Sequence, residues 1–292
     1  MPPFDTRQPH ELSPGDTLGS YTVQRSIGAG GEAILYAAYD ERNRKRVALK
    51  FPRVANAESI QRLRHEVAMG HEIHHPNVCK SERVATEDGF TFGVMEYVEG
   101  ENLKTILGRR RGPLPRNTAE RVATELCAGV SQMHLSELVH RDLKPANIML
   151  DDQGHVKIID LGVAEFEGRG INEFFGTPEY MAPEQLRCEV LRRPVDIFAI
   201  GVLLYEIFTG LQWLRCDPAI ASDPRLSAAQ RFAIQVQSVV RQQAVLPALP
   251  SAVNPELDFN VDDLLMSCLN THPTERPKAD VLRARWEILV QA

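Results

Sequence analysis

Short apolar runs, broken by polar residues and turns, fill the first third of the chain. Residues 21–23, 33–36, 47–51 and 90–95 have strand length, and glycines and an Asp88-Gly89 turn separate them. One segment departs from this pattern. Ile60, Leu63, Val67 and Ile73 recur at helical spacing, and His75-Pro76-Asn77 stops the run. The expectation is a mostly antiparallel sheet with a single helix. After Gly100 the period changes. Ala119, Val122, Ala123, Leu126, Val130 and Met133 mark one face of a long amphipathic helix. Residues 195–208 are apolar nearly all round, which predicts a helix buried on every side. Two short strands, 148–150 and 156–159, flank a turn at 151–154. The last 80 or so residues read as helical, with a proline-rich connection at 246–250. The first 16 residues hold four prolines and little apolar pattern, which reads as a lead-in tail. A small β-rich lobe (17–98) and a larger helical lobe (99–292) together predict an α+β, two-lobed domain over 17–290, with a ligand cleft between the lobes.

Composition narrows the function. Of 292 residues, 43% are hydrophobic and 25% charged, an ordinary globular mix that excludes collagen-like and disordered classes. The net charge of −6 argues against a nucleic-acid partner. No apolar run reaches the roughly 18 residues of a membrane span, and the N-terminus lacks the order of a signal peptide. The five cysteines form no C-x-x-C pair and read as reduced thiols, so the expected location is cytoplasmic. Lysine is scarce, 7 against 26 arginines, so each well-placed lysine carries information.

Three constellations carry chemistry. The first is His140-Arg141-Asp142-Leu143-Lys144-Pro145-Ala146-Asn147, followed by Asp160-Leu161-Gly162. The second is Ile27-Gly28-Ala29-Gly30-Gly31-Glu32-Ala33-Ile34 with Val47-Ala48-Leu49-Lys50 and, on the single helix, Glu66. Glycines let backbone N–H groups approach phosphates, and a strand lysine needs an acidic partner to hold its geometry. The third is Gly176-Thr177-Pro178-Glu179-Tyr180-Met181-Ala182-Pro183-Glu184. In this order the three resemble eukaryotic-like serine/threonine protein kinases of bacterial type, over nearly the whole chain.

The resemblance implies a protein kinase fold with ATP and Mg2+ bound in the cleft. It implies Asp142 as the base for the acceptor hydroxyl, Lys144 as neutraliser of the transferring phosphoryl group, and Asn147 and Asp160 as magnesium ligands. Lys50, paired with Glu66, would grip the α- and β-phosphates. Ile27, Gly28, Ala29, Gly30, Gly31 and Ile34 would cover the nucleotide, with Ile34 taken at the place of the family's valine. Ala48, Met95, Glu96, Val98, Asn102 and Met149 would line the adenine and ribose. Thr177 would bond both Asp142 and Lys144, which favours Ser/Thr over Tyr as acceptor. Glu184 would pair with Arg276, and Asp196 would accept hydrogen bonds from the catalytic-loop backbone.

Protein substrates are the implied partners; autophosphorylation and a dimer stay open. Two rivals are weighed. A pseudokinase binding module would be expected to lack Lys50, Asp142 or Asp160, and a small-molecule kinase would lack the segment 176–184; the chain has all of these. Departures from the family pattern are Ala33, Leu161 and Gly70. Gly70 lies four residues after Glu66, where it removes packing and is expected to loosen the helix. Arg141 would hold an activation-segment phosphate, yet residues 163–175 contain no Ser, Thr or Tyr. Glu173 is the expected permanent substitute, with Glu165 or Glu167 as alternatives.

Overall fold

The computed structural model describes residues 8–110, 112–168 and 176–291. Two compact units divide the chain. The first takes the described residues up to Glu99 together with Asp160–Gly162; the second takes Gly100–Ile159 and the residues from Val163 onward.

The first unit is built on a six-stranded antiparallel sheet. Its strands are β1 (Thr17–Leu18), β2 (Tyr21–Ala29), β3 (Ala33–Asp40), β4 (Lys45–Pro52), β5 (Ser81–Glu87) and β6 (Phe90–Glu96). Their order in the sheet is β1-β2-β3-β4-β6-β5. Helix α1 (Ala57–Glu72) follows β4. Alternation along the strands gives the sheet two apolar faces. One carries Tyr21, Val23, Ile34, Tyr36, Val47, Leu49, Phe51, Phe92 and Val94, and Leu12 and Leu18 join this core. The expected lead-in is therefore not loose over its described part: Pro9 and Leu12 are buried, and the Tyr36 hydroxyl donates to the Pro9 carbonyl at 2.9 Å. The other face receives α1. Asn56 caps that helix by accepting from the Ser59 N–H, and Ser59 answers on the Asn56 N–H. Leu63 and Val67 then pack over Gly93 of β6, where a Cβ would stand 3.0 Å from Val67 and 3.2 Å from Leu63. Strand β5, Ser-Glu-Arg-Val-Ala-Thr-Glu, was not among the expected strands. It lies at the sheet's end with only β6 beside it, and five of its seven residues are polar.

The second unit is mainly helical. It runs β7 (Gly100–Asn102), α2 (Leu103–Arg109), α3 (Arg116–Leu135), β8 (Leu138–Val139), β9 (Ile148–Asp151), β10 (Val156–Ile158), β11 (Glu165–Phe166), α4 (Pro183–Leu186), α5 (Pro194–Thr209), α6 (Pro218–Ala221), α7 (Ala228–Gln243), α8 (Pro250–Val253), α9 (Phe259–Cys268) and α10 (Ala279–Gln291). The predicted stripe of α3 is fully buried. It packs on α10 and on α5, the helix buried all round. Phe208 of α5 stacks on Trp286 of α10, centroids 5.2 Å apart and nearly parallel. Gly210, with φ +72°, closes α5 in the left-handed conformation that glycine takes without strain. The hairpin of β9 and β10 puts the Ile159 N–H on the Asn147 carbonyl at 2.8 Å, one residue before Asp160.

Candidate active site

In the first unit, cross-strand register sorts the residues by face. Lys50 stands opposite Leu35 on one side and Gly93 on the other, and Ala48 stands opposite Ala37 and Met95. Directly opposed residues share a face, so Leu35, Ala37, Ala48, Lys50 and Met95 lie together. Ile34 does not. It pairs with Phe51 and is buried in the opposite core. The expectation for Ile34 is thus corrected by one position: the period of two puts Leu35, not Ile34, on the lysine's face. Gly28 pairs with Leu35, and Gly30 closes the β2–β3 turn by donating to the Ala33 carbonyl at 2.9 Å. Ile27 is half-buried, and Ala29, Gly30 and Gly31 are exposed.

The Lys50 ammonium donates to Glu66 Oε1 at 2.6 Å and to Asp160 Oδ1 at 2.7 Å. Glu66 is 4% exposed. Burial opposes the charge on Lys50, but Glu66 and then Asp160 outweigh it and raise its pKa. Burial also pushes the Glu66 carboxyl up; Lys50 pulls against this, and the like charge of Asp160 adds to it. Two carboxylates thus crowd one ammonium. Asp160 takes a left-handed backbone, φ +65°, uncommon for a residue with a side chain. Its contact with Lys50, and that of Leu161 with Gly70, explain why Asp160–Gly162 belongs with the first unit. Gly70 does not loosen the helix as expected: Ser81 and Leu161 close on it, and Glu66 is seated.

In the second unit, Asp142 is the hub. Lys144 Nζ donates to Asp142 Oδ2 at 2.6 Å and to Thr177 Oγ1 at 2.9 Å, and the Thr177 hydroxyl donates to Asp142 Oδ1 at 3.2 Å. Asn147 Nδ2 donates to the Asp142 carbonyl at 2.9 Å and to its Oδ2 at 3.2 Å. With the nitrogen so engaged, no donor among the described residues meets Asn147 Oδ1.

Underneath lies Asp196, 1% exposed. It accepts from the His140 and Arg141 backbone N–H groups and from His134 Nε2, each at 2.9 Å. Burial would raise its pKa, but His134 and then His140 hold it below the usual carboxylate range. His134 carries no sequence motif that singled it out; only its burial beside a carboxylate marks it. The two N–H bonds hold Arg141 at φ +67°. Strain of this kind persists where the surroundings impose it. Glu184 and Arg276 form a buried two-pronged pair at 2.6 and 3.0 Å.

Some expectations move. Asn102 caps α2, its Oδ1 accepting from the Thr105 N–H and hydroxyl at 2.9 and 3.0 Å, so its acceptor is committed to the helix rather than to a nucleotide. Glu96 has its side chain on the Lys80 N–H and its own N–H on the Lys80 carbonyl. Val98 and Met149 are half-buried. Glu173 lies outside the described residues. Of its alternatives, Glu167 pairs with Arg193 at 2.9 Å. Glu165 is on β11, paired with β8, and its carboxylate acts on Arg141 against the lowering effect of burial.

The chain belongs to the protein kinase domain family, which matches it over residues 21–286. It is 35% identical to the serine/threonine-protein kinase PrkC of Bacillus subtilis over 199 residues, 66% of this chain and 31% of that protein. It is 30% identical to the serine/threonine-protein kinase pkn3 of Myxococcus xanthus over 94% of this chain and 50% of the relative. Identity is also 30% to the mouse cAMP-dependent protein kinase catalytic subunit PRKX, over 93% of this chain and 73% of that protein. The chain spans about a third to a half of the bacterial relatives' length. No helix among the described residues is long and apolar enough to cross a membrane.

Proposed function

We propose that the chain transfers the γ-phosphoryl group of ATP to serine and threonine hydroxyls of protein substrates, with Mg2+. The observation that carries this reading is the Asp142 carboxylate, with Lys144 on one oxygen and Thr177 on the other. Such a carboxylate can orient an alcohol and accept its proton as the bond to phosphorus forms. Lys144, 2.6 Å away, supplies positive charge where the transferring group would gain negative charge. Lys50, held by Glu66, would take the α- and β-phosphates. The glycine turn with Leu35, Ala48 and Met95 would cover the nucleotide, with Ile27, Glu96, Val98 and Met149 at its margins.

The donor set suits magnesium, which prefers hard oxygens. Asn147 Oδ1 is an uncharged oxygen that meets no donor among the described residues, and the crowding of Asp160 against Glu66 favours a cation beside Asp160. Asn147 and Asp160 would hold the ion, and it would neutralise phosphate charge. The names of the relatives support serine and threonine as acceptors. The five free cysteines support a reducing, cytoplasmic location.

The test is label transfer from γ-labelled ATP to peptides that differ only in a Ser, Thr or Tyr acceptor, beside small alcohols. Labelled Ser and Thr peptides support the proposal. Label confined to Tyr or to the alcohols, or none at all, overturns it.

A further inference from the structure

Strand β4 ends at Pro52, opposite Ala33, and the next residue carries the ladder one step further: the Arg53 N–H donates to the Glu32 carbonyl at 2.8 Å. Successive residues of a strand point to opposite faces, so Arg53 follows Phe51, away from the face of Lys50. From that side its guanidinium reaches across the β2–β3 turn, and Nη1 donates to the Gly30 carbonyl at 2.6 Å. A trans peptide is planar, with its C=O and N–H on opposite sides. Holding the Gly30 oxygen on the Arg53 side therefore turns the Gly31 N–H toward the side of Lys50, and that N–H meets no acceptor among the described residues. Gly30-Gly31 is also the only Gly-Gly step in the chain. Neither residue has a side chain to resist a turn of the peptide plane between them, and glycine takes positive and negative φ about equally well.

We propose that Arg53 is a positioning residue for nucleotide binding: it latches the Gly30–Gly31 peptide with its N–H turned toward the phosphates. The inference rests on the reading of the glycine turn as the cover of the nucleotide. Without the guanidinium the peptide plane is free to flip. The Gly30 carbonyl oxygen would then face the phosphates, where a donor is required. The flip carries φ of Gly31 to positive values, a region that a residue with a Cβ enters only at a cost. As it stands, Gly31 has φ outside that region and nothing within 4 Å of an added Cβ. Alanine at position 31 thus fits the present conformation and opposes the flipped one. A guanidinium that merely attracted phosphate by its charge would be indifferent to residue 31. Arg53 is itself exposed, so its removal strips no core packing.

Four proteins decide the matter: wild type, Arg53→Ala, Gly31→Ala and the double variant. Each is measured for equilibrium affinity for MgATP and, as a probe without phosphates, for adenosine. Arg53→Ala should weaken MgATP binding by about tenfold, the factor for losing one hydrogen bond from a charged donor, and leave adenosine affinity within about twofold. With alanine already at position 31, removing Arg53 should weaken MgATP binding by about threefold or less, because the flipped plane now carries the penalty of a positive φ. Unchanged MgATP affinity in Arg53→Ala, equal losses for MgATP and adenosine, or the same loss whichever residue occupies position 31, would overturn the proposal. A wild-type protein that transfers no phosphoryl group, in a set whose affinities follow this pattern, would strike down the proposed function and leave the latch standing.

Discussion

Replacing Asp196 removes the acceptor on which the loop from His140 to Asn147 hangs. Its carboxylate takes three donors at 2.9 Å: the His140 N–H, the Arg141 N–H and His134 Nε2. The site is buried, so each donor left alone costs about 1–3 kcal/mol. In Asp196→Ala all three are stranded, less about 1–2 kcal/mol of strain released at Arg141 as it leaves the left-handed region. The net expectation is about 4 kcal/mol. In Asp196→Asn the amide oxygen keeps one N–H, and His134 can turn acceptor toward the amide nitrogen. One N–H is stranded, at about 2 kcal/mol. At about 2–3 °C per kcal/mol for a chain of this size, melting temperature should fall by about 5 °C in the asparagine variant and about 10 °C in the alanine variant. In both, kcat should fall more than the affinity for ATP, because Asp142 follows Arg141 in the chain. The pH dependence has a definite sign. Asp196 is held below its ordinary value of 3.8, so its contribution is full above 3.8 and lost as pH falls through the lower folded value. The gap between wild type and Asp196→Asn should be constant from about pH 8 to 5 and shrink only below about pH 4. An alanine variant melting within about 2 °C of wild type, or a gap that narrows already between about pH 7 and 5, would refute this reasoning.

Lys50→Met and Glu66→Gln should each remove most of the activity, and the double variant should lose little more than either; additive losses in a double-mutant cycle would separate the two. Glu184→Gln leaves the Arg276 guanidinium buried without its counter-charge, so unfolding free energy should drop by about 3–5 kcal/mol, and a urea midpoint like that of wild type would count against it. Glu165→Gln should weaken phosphatase-treated enzyme severalfold, and more of the wild-type activity than of the variant's should be lost on adding salt; equal activity and equal salt response would show that Glu165 does not serve Arg141.

Much of the fold was legible because both units alternate or repeat at clean periods. The stripe of α3 and the all-round apolar α5 left little choice, and Lys50, Asp142, Lys144 and Asn147 stood in one recognisable order. What was not legible depended on neighbours. Strand β5 is an end strand with a mostly polar sequence, so it gave no apolar run. Ile34 and Leu35 are both aliphatic, and only the register against Lys50 and Phe51 tells which faces the lysine. The sequence does not distinguish an Asn102 that faces a ligand from one that caps its own helix, as it does. Gly70 read as a weakness, because the sequence does not say that Ser81 and Leu161 close upon it.

The account turns on Asp142 as the group that receives the acceptor's proton. The most direct measurement is the single-turnover rate of phosphoryl transfer to a serine peptide for wild type and Asp142→Asn, with MgATP affinity measured on the same preparations. The account predicts a rate lower by at least about 1000-fold in the variant, with MgATP affinity within a few-fold of wild type. Transfer at a near wild-type rate by Asp142→Asn would contradict it.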